Sequence, residues 1–520
     1  MTADATVLRE VLLGHVRDRP DKVFLKFADG SEWTYSQTLH EARVAAARLA
    51  HLGVGRGDRV LTWLPNGPDL IRIWFGTNLL GAIHAPCNLA WRKEMLRNAF
   101  DIAKPKVTVI HDTLESVLNE AVPHHSVTVR LSGCTASERH WSNTPMAAFE
   151  EADDLHSADG MQILFTSGTT GLSKGALTSY RHCAEFLSPP DPAAFDEDST
   201  FLLVLPLFHA GGVSSLYKAF LGGASVAIPD SFKTERFWDD VNRFGATSTT
   251  LVGAMATFLL AATEKNEVAA HTLKHTNISP LTPVSYRFSE VFGTSLWASY
   301  GATEIGAIIT ASAYPDRPGL TGWLREGYEA RLVDSHDETV PEGSAGELVV
   351  RSHTPWVLLT EYVERDDATA QSWRNGWFHT GDIFKQDADG GYIYLDRKKD
   401  MIRRRGENIS SMEVELALSR LGLFREVAVF AATLADGEEE VAAAIVPTGA
   451  FDDTGWPSLI EALGDQIAHF MIPRFFRIME SLPRNETGKI KKDELRGQGL
   501  TSDIWDREAA GIMVRARRVG

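Results

Sequence analysis

The sequence predicts an α/β protein: a large N-terminal domain of doubly wound parallel sheets with a small β-barrel module, then a small α+β C-terminal domain. Three observations carry this prediction. Short apolar strands alternate with amphipathic helices through much of the N-terminal half, strands with glycine-rich turns occupy residues 319–394, and a basic run follows Asp396. Strands that alternate with helices are typical of parallel sheets covered on both faces. We place the domain boundary between residues 396 and 397.

Each element of the N-terminal half follows from hydrophobic patterning. Apolar runs of four to six residues predict strands buried on both faces, and the longer amphipathic stretches between them predict helices. These segments are residues 59–64, 68–81, 106–111, 201–206, 212–221, 224–228 and 247–252. From Gly319 onwards, residues 346–351 and 391–395 read as strands between glycine-rich turns, which favours a barrel or a small antiparallel module.

Composition and charge narrow the class of protein. A chain of 520 residues is too long for one hydrophobic core, and 44% hydrophobic with 23% charged residues is ordinary for a globular enzyme. The net charge of −17 argues against nucleic acid or an anionic membrane as a partner. Three widely spaced cysteines and an N-terminus without a signal-peptide pattern predict a cytoplasmic location.

A loop rich in glycine and hydroxyl residues lies between two apolar runs at residues 164–177. Glycines let backbone N–H groups approach an anion, hydroxyls add donors, and Lys174 adds a positive charge. The loop lacks the spacing of the ordinary NTPase P-loop, because Gly175 rather than a hydroxyl residue follows Lys174. It therefore predicts a polyphosphate site of another kind; the plainer alternative is a solvated surface turn. The predicted phosphate-binding residues are Thr166, Ser167, Gly168, Thr169, Thr170, Gly171 and Lys174.

Three further segments accompany this loop in a fixed order. They read Ala298-Ser-Tyr-Gly-Ala-Thr-Glu-Ile-Gly, Trp377-Phe-His-Thr-Gly-Asp, and Leu482-Pro-Arg-Asn-Glu-Thr-Gly-Lys-Ile. Together the four segments resemble the adenylate-forming superfamily of acyl- and aryl-CoA synthetases, adenylation domains and luciferase, over essentially the whole chain. The stretches from Asp396, Gly406 and Trp505 are most similar to the crotonobetaine/carnitine-CoA ligase-like branch.

The resemblance implies ATP and Mg²⁺ as cofactors and assigns roles to the nucleotide site. The phosphate loop would hold the β- and γ-phosphates, Thr303 would contact the α-phosphate, and Glu304 would bind Mg²⁺. Tyr300 would stack on adenine, and Asp382 would accept hydrogen bonds from the ribose hydroxyls with Arg397 assisting. Taken singly, Glu304 and Asp382 also fit plain roles as a helix-terminal carboxylate and a turn residue.

The same resemblance supplies the catalytic lysine and the hinge. Lys489 would reach from a mobile C-terminal domain to the carboxylate and α-phosphate oxygens, and Lys399 would absorb the dihedral change when that domain rotates. His209 matches the position that lines and gates the acid pocket. The predicted pocket residues are Phe208, His209, Val213, Val252, Gly253, Ala298, Ser299 and Gly306.

Two departures from the family pattern bear on function. A glycine-containing turn that packs on adenine in relatives is replaced by Asn277-Ile-Ser-Pro-Leu281, so its adenine contacts cannot be transferred. The loop after the hinge has Arg405 before Gly406, where CoA-using relatives often have two glycines beside the pantetheine tunnel. Arg405 and Gly406 are therefore candidates for contact with the second substrate.

The favoured prediction is activation of a small-molecule carboxylic acid, aryl or unsaturated, followed by transfer to CoA. Three alternatives stay open: activation of nitrite for diazotisation of an aryl amine, adenylation for a carrier protein, and a binding protein without catalysis. An AMP-forming ligase of this kind needs no membrane and no nucleic acid, and relatives often form homodimers.

Overall fold

The structure is a computed structural model of the chain. It describes residues 6–123, 128–133, 139–166, 173–188, 192–263, 270–279, 281–312, 319–404, 407–434, 438–449, 451, 455–484 and 490–512. Within these ranges the strands are β1 Val23–Phe27, β2 Glu32–Thr34, β3 Arg59–Trp63, β4 Ile83–Pro86, β5 Val107–His111, β6 Thr128–Ser132, β7 Gly160–Thr166, β8 Lys174–Ser179, β9 Thr200–Leu202, β10 Ser225–Ile228, β11 Ser248–Val252, β12 His275–Ser279, β13 Ser295–Ala302, β14 Gly306–Ser312, β15 Leu320–Leu324, β16 Tyr328–Val333, β17 Ala345–Ser352, β18 Glu361–Tyr362, β19 Trp373–Arg374, β20 Trp377–Gln386, β21 Tyr392–Arg397, β22 Ile402–Arg404, β23 Glu407–Ile409, β24 Phe424–Thr433, β25 Glu439–Pro447, β26 Phe475–Ile478 and β27 Ile504–Asp506.

The helices show the amphipathic spacing that the sequence predicts, and several begin at hydroxyl-bearing caps. Thr34, for example, accepts from the amide of Gln37 while the Gln37 side chain accepts from the Thr34 amide, which is a capping box at the start of the second helix. The helices are α1 Leu8–Asp18, α2 Tyr35–His51, α3 Pro68–Leu79, α4 Lys93–Ala103, α5 Glu115–Ala121, α6 Tyr180–Glu185, α7 Ala210–Gly222, α8 Phe237–Phe244, α9 Gly253–Thr263, α10 Pro283–Phe292, α11 Asp366–Ser372, α12 Ser411–Arg420, α13 Trp456–Gly464 and α14 Lys492–Gln498.

The chain forms two compact units. The first contains residues 1–330, 350–378 and 389–392, and the second contains residues 331–349, 379–388 and 393–520. These units give the large and small parts that the sequence predicts. The boundary between residues 396 and 397 stays a prediction.

Two sheets form the framework of the first unit. One has the order β18-β8-β7-β4-β3-β5-β6, in which β4, β3, β5 and β6 run parallel. The other runs β15-β14-β13-β12-β11-β9-β10-β1-β2, with parallel pairing from β13 through β1. Buried Trp63, Trp74 and Phe220 belong to the cores that cover these sheets. The predicted α/β class and parallel sheets are therefore confirmed.

The second unit combines a strand module with a small α+β part. Strands β16, β17, β20 and β21 neighbour one another in that order, at residues where the sequence predicts the β-rich module. Further along, β24-β25-β26-β27 form a four-stranded sheet with one parallel pair. Its core includes Trp456, whose ring stacks on Trp505 with centroids 4.3 Å apart. Trp505, in one of the stretches that resemble the ligase-like branch, is thus a packing residue of this unit.

Candidate active site

The two ends of the predicted phosphate loop lie opposite each other in an antiparallel pair. Thr166 ends β7, Lys174 begins β8, and the two residues are partners in the register. Residues Ser167, Gly168, Thr169, Thr170 and Gly171 lie outside the described residues. Gly175 follows in β8, where a Cβ atom would lie 2.5 Å from the Ile102 side chain. Its missing side chain is explained by this packing.

Lys174 and Glu304 are joined through a residue that the sequence analysis did not identify. The Tyr362 hydroxyl donates a hydrogen bond of 2.8 Å to Oε1 of Glu304, and the Lys174 ammonium lies 4.5 Å from the centroid of the same ring. Tyr362 is 5% exposed and its strand, β18, pairs with β8. The amide of Leu359 also donates to the carbonyl of Glu304 at 2.6 Å. The predicted phosphate lysine and the predicted metal carboxylate therefore belong to one arrangement.

Thr303 and Glu304 lie in the tight turn between β13 and β14. Gly301 allows this turn, since a Cβ atom there would lie 2.1 Å from the carbonyl oxygen of Gly306. His182, in α6, lies beneath the turn and contacts the carbonyl of Val357 through Nδ1 at 2.8 Å. Burial lowers the pKa of His182 to about 4, although its backbone contacts with Val357 and Thr303 act in the opposite direction. The imidazole of His182 is therefore uncharged at neutral pH.

The predicted pocket residues gather at the carboxyl ends of the parallel strands of the second sheet. There Val252 ends β11, Gly253 begins α9, and Ala298, Ser299 and Tyr300 lie in the last part of β13. Ligands of parallel α/β sheets bind at this edge. Val252 is 41% exposed, which is unusual for a large apolar side chain and fits a residue that lines a binding site.

Helix α7 supplies the other wall of this region. His209 is its N-terminal cap and packs on Phe208, with ring centroids 4.6 Å apart. Position 212 requires glycine because the backbone of residue 206 comes close to it: a Cβ atom would lie 2.2 Å from the carbonyl oxygen of Pro206. Ser215 Oγ on α7 lies 3.4 Å from Thr250 Oγ1 of β11, so the helix packs against the strand that leads to Val252. Val213 is buried, and Gly306 begins β14.

The first three residues of the departure at residues 277–281 are the end of a strand. Asn277, Ile278 and Ser279 belong to β12, Pro280 lies outside the described residues, and helix α10 is capped by Thr282. Ser279 Oγ accepts a hydrogen bond of 3.0 Å from the amide of Ser299 in β13. This hydrogen bond therefore joins the end of β12 to the strand that carries Tyr300. The adenine contacts of residues 277–281 remain unassigned.

In the second unit, Asp382 and Arg397, which the sequence analysis assigned to the ribose, form an ion pair. Arg397 Nε lies 2.9 Å from Oδ1 of Asp382, whose side chain is 2% exposed. Gly381, which precedes Asp382 in β20, is held by Glu347, which accepts from the Gly381 amide at 3.2 Å and from the Lys398 ammonium at 2.8 Å. Glu347 was not singled out in the sequence, where it is a carboxylate inside an apolar strand. A charged side chain inside an apolar strand is the sequence signal that could have identified Glu347.

The predicted hinge residue is anchored to α14. Lys399 Nζ lies 2.9 Å from Oδ2 of Asp493, and the neighbouring Asp400 pairs with Arg496. The backbone amides of Lys398 and Asp400 donate to Gly381 and Arg397 on either side of Lys399. Lys489, Arg405 and Gly406 lie outside the described residues. Their roles stay predictions.

Glu304 fits the predicted role toward a divalent cation. Oε1 of Glu304 accepts the hydrogen bond from Tyr362, and the second carboxylate oxygen has no role in that hydrogen bond. Carboxylate oxygens are ligands that Mg²⁺ prefers. No cluster of three or more His, Cys, Asp or Glu side chains that could hold a metal occurs in the described part of the chain. A single carboxylate is the arrangement expected when substrate phosphates supply the other ligands.

The helices in the described ranges include none that is long and apolar enough to cross a membrane.

Comparison with known proteins gives the family. The AMP-binding enzyme family matches residues 13–359, and its C-terminal domain matches residues 413–489. The crotonobetaine/carnitine-CoA ligase of Salmonella paratyphi C is 28% identical over 493 residues, covering 89% of this chain and 93% of the relative.

Solved structures agree on the fold. ATP-bound MatB from Rhodopseudomonas palustris has a TM-score of 0.84 at 24% identity, over 95% of this chain and 98% of that one. An anthranilate CoA ligase in complex with anthranoyl-AMP has a TM-score of 0.85 at 23% identity, over 98% of both chains. The chain belongs to the AMP-binding enzyme family, and it is an ATP-using, adenylate-forming enzyme of the acyl- and aryl-CoA ligase type.

Proposed function

We propose that this enzyme activates a small carboxylic acid with ATP and Mg²⁺ and then transfers the acyl group to CoA. In the first step a carboxylate oxygen attacks the α-phosphorus, the bond to the β-phosphate oxygen breaks, and pyrophosphate leaves. In the second step the CoA sulfur attacks the acyl carbon and AMP leaves. The arrangement of Lys174, Tyr362 and Glu304 carries this proposal, because it joins the end of a phosphate loop to a metal-binding carboxylate.

Charge neutralisation is the main task of the first step, since two anions must meet. The chemistry that Mg²⁺ would supply when bound is to offset the negative charge of the phosphates. We assign Glu304 to hold that ion, Thr303 to contact the α-phosphate, and the loop from Thr166 to Lys174 to hold the β- and γ-phosphates. Lys489 would stabilise the charge on the carboxylate and α-phosphate oxygens as they react.

Two residues are assigned to the nucleoside. Tyr300 would stack on adenine from β13, while Asp382 would accept from the ribose hydroxyls. The 2.9 Å contact with Arg397 and the Glu347 hydrogen bond to Gly381 fix the Asp382 carboxylate before nucleotide binds. Such preorganisation lowers the cost of ordering the site.

We further propose an aryl or unsaturated acid as substrate, in the pocket bounded by His209, Val213, Val252, Ser299 and Gly306. Relatives with related chemistry support this choice: one acts on crotonobetaine or carnitine, and a structural neighbour binds anthranoyl-AMP. We also propose a cytoplasmic location and a homodimer, as the sequence predicts.

The test is release of AMP and pyrophosphate by the purified enzyme with Mg-ATP and a panel of aryl, alkenyl and amino-aryl acids. Each acid is offered with CoA, with nitrite, or with neither, and product masses are recorded. An acyl-CoA mass that depends on CoA supports the proposal. Nitrite-dependent release with an amino-aryl acid would replace it by diazotisation, with Arg405 as the residue to examine. Pyrophosphate release without transfer to either small molecule would instead indicate a carrier protein as acceptor.

A further inference from the structure

A group of charged side chains lies beyond the predicted acid pocket and has no role in the chemistry described above. We call it the distal cluster, and it consists of Glu185 at the end of α6, Lys218 on α7, and Arg325 and Tyr328 after β15. All four residues belong to the first compact unit and are partly buried. None of them was singled out in the sequence.

Arg325 is the fixed member of the distal cluster. Its Nη1 donates to the carbonyl oxygens of Glu185 at 2.9 Å and of Ala307 at 2.8 Å, while Nη2 lies 3.9 Å from the Glu185 carboxylate. The guanidinium also lies 5.4 Å from the centroid of the Tyr328 ring. With its side chain only 12% exposed, Arg325 holds a positive charge directly beneath the start of β14.

Lys218 is the member that still has capacity to bind. Among the residues that the structure describes, none lies within hydrogen-bonding or ion-pairing distance of its ammonium group. Burial lowers the pKa of Lys218, Arg325 lowers it further, and the Glu185 carboxylate acts in the opposite direction. Removing an ammonium group from water is costly unless a partner accepts its hydrogen bonds, so this position favours an anionic ligand.

Helix geometry directs the cluster toward the pocket. Gly211, Ser215 and Lys218 have the i, i+4, i+7 spacing that places side chains on one face of α7, and Ser215 contacts β11 through Thr250. Lys218 lies about 13 Å along the helix from His209, and helical side chains tilt back toward the N-terminus. From the other side, Arg325 contacts Ala307, the residue after the predicted pocket residue Gly306.

We propose that Lys218 and Arg325 bind a second carboxylate at the far end of the acid substrate, so that the preferred substrates are dicarboxylic acids. This inference rests on the proposed function, in which His209 marks the end of the pocket where the reacting carboxylate lies. Two cations face one protein carboxylate in the distal cluster, which leaves one positive charge for the ligand. Glu185 orients Arg325 and limits the cluster to a single additional anion.

The test compares dicarboxylic acids with their monomethyl esters, which keep the size of the second group and remove its charge. Two pairs are suitable: adipate with monomethyl adipate, which is flexible, and terephthalate with monomethyl terephthalate, which is aromatic. We expect the wild-type enzyme to give a KM at least about tenfold lower for the diacid in the better pair, the difference that one favourable charge contact supplies. Lys218→Met should remove that preference by raising the KM of the diacid while leaving the monoester and kcat nearly unchanged.

Two further variants separate recognition from folding. Lys218→Arg keeps the charge and should retain the preference. Lys26→Met removes another half-buried lysine, one that donates to the Phe244 carbonyl at 3.0 Å, and should leave the preference intact. Thermal unfolding with and without diacid gives a readout that needs no turnover: the diacid should raise the unfolding midpoint of the wild type and not of Lys218→Met.

The outcomes distinguish this inference from the proposed function. Equal KM values for diacid and monoester, or equal effects of Lys218→Met on both, would overturn the distal carboxylate site while the ligase stands. Stabilisation by diacid that depends on Lys218, without pyrophosphate release from any acid, would keep the binding site and overturn the proposed function. If the diacid neither turns over nor stabilises the wild type while another acid of the panel releases pyrophosphate, the distal carboxylate site is overturned and the ligase stands. If no acid releases pyrophosphate either, both are overturned.

Discussion

The hydroxyl of Tyr362 donates a 2.8 Å hydrogen bond to Oε1 of Glu304. The same ring lies under the ammonium group of Lys174, 4.5 Å from its centroid. The tyrosine thus orients the carboxylate proposed to hold Mg²⁺ and packs against the lysine proposed to bind phosphate. Because β18 pairs with β8, the sheet itself sets this geometry.

Replacing Tyr362 with phenylalanine should lower adenylation and raise the Mg²⁺ concentration that half-saturates it. The variant keeps the ring beneath Lys174 and loses only the hydrogen bond to Glu304, so we expect about a tenfold loss in kcat/KM, equivalent to ~1.4 kcal/mol. Pyrophosphate release as a function of Mg²⁺ measures both effects. Tyr180→Phe is the control, because it removes another buried hydrogen bond, 2.6 Å to Asn78 Oδ1, far from this carboxylate in sequence. An unchanged Mg²⁺ dependence in Tyr362→Phe would show that Glu304 needs no such support.

Lys489→Ala should abolish adenylation, with a loss of at least about a hundredfold in kcat, since the lysine is proposed to neutralise charge that forms only as the carboxylate attacks. ATP binding should change little. Single-turnover formation of acyl-AMP measures the step directly. Lys491→Ala is the matched control, because Lys491 pairs with Glu494 at 3.6 Å and precedes α14. Comparable losses in the two variants would assign the effect to the segment rather than to Lys489.

Lys399→Pro should spare adenylation and impair acyl transfer. Proline restricts φ at the proposed hinge, and the hydrogen bonds on either side are donated by the amides of Lys398 and Asp400, so the substitution removes neither donor. Acyl-AMP formation and thioester formation are measured separately on the same preparation. Asp493→Asn removes the 2.9 Å ion pair to Lys399 without changing the backbone and controls for its loss. If both half-reactions fell equally in Lys399→Pro, the hinge would lie elsewhere.

Arg405→Gly should change the use of the second substrate without changing acyl-AMP formation. Removing a long cation restores the glycine pair that CoA-using relatives often have, so affinity for the anionic acceptor is the property expected to change. The KM for CoA, the rate with nitrite and the rate of acyl-AMP formation are compared in the variant and the wild type. Arg403→Gly is a nearby control, since its side chain is exposed on β22. If the variant and the wild type used CoA and nitrite equally well, Arg405 would have no role in recognition of the second substrate.

The sequence predicted most of the fold because its strands are short, apolar and separated by clear turns. The sequence analysis also assigned Asp382 and Arg397 to the ribose, and Lys174 and Glu304 to the phosphates and Mg²⁺; the structure brings the two members of each set together. Local sequence patterns could not show contacts that depend on the pairing of distant strands. Tyr362 reaches Glu304 only because β18 joins β8, and the close approach of Gly175 to Ile102 likewise depends on the packing of distant segments.

Charged residues of the distal cluster were missed for the same physical reason. Lys218 lies in an amphipathic helix, where a lysine ordinarily faces water, and Arg325 lies just after a short strand. Only the packing of α6 against α7 and against β14 makes them partly buried neighbours. Glu347 differs, because a carboxylate inside an apolar strand is visible in the sequence and already indicates a buried partner.

Acid should destabilise the first compact unit through His84, which is 2% exposed and has Nε2 2.8 Å from the Thr62 hydroxyl. Burial lowers the pKa of His84 to about 3, well below that of an unfolded histidine near 6.5. Between those values the unfolded chain binds a proton that the folded chain does not, so the free energy of unfolding falls as pH decreases from about 6.5. His84→Gln should therefore reduce this pH dependence by up to ~1.4 kcal/mol per pH unit. Urea unfolding at pH 7, 6 and 5, followed by tryptophan fluorescence, measures the slope of the unfolding free energy against pH.

Thr62→Val is the control, because it loses the hydrogen bond and keeps the imidazole. It should be less stable than the wild type and show the same slope of unfolding free energy against pH. An unaltered slope in His84→Gln would mean that the folded protein protonates His84 readily.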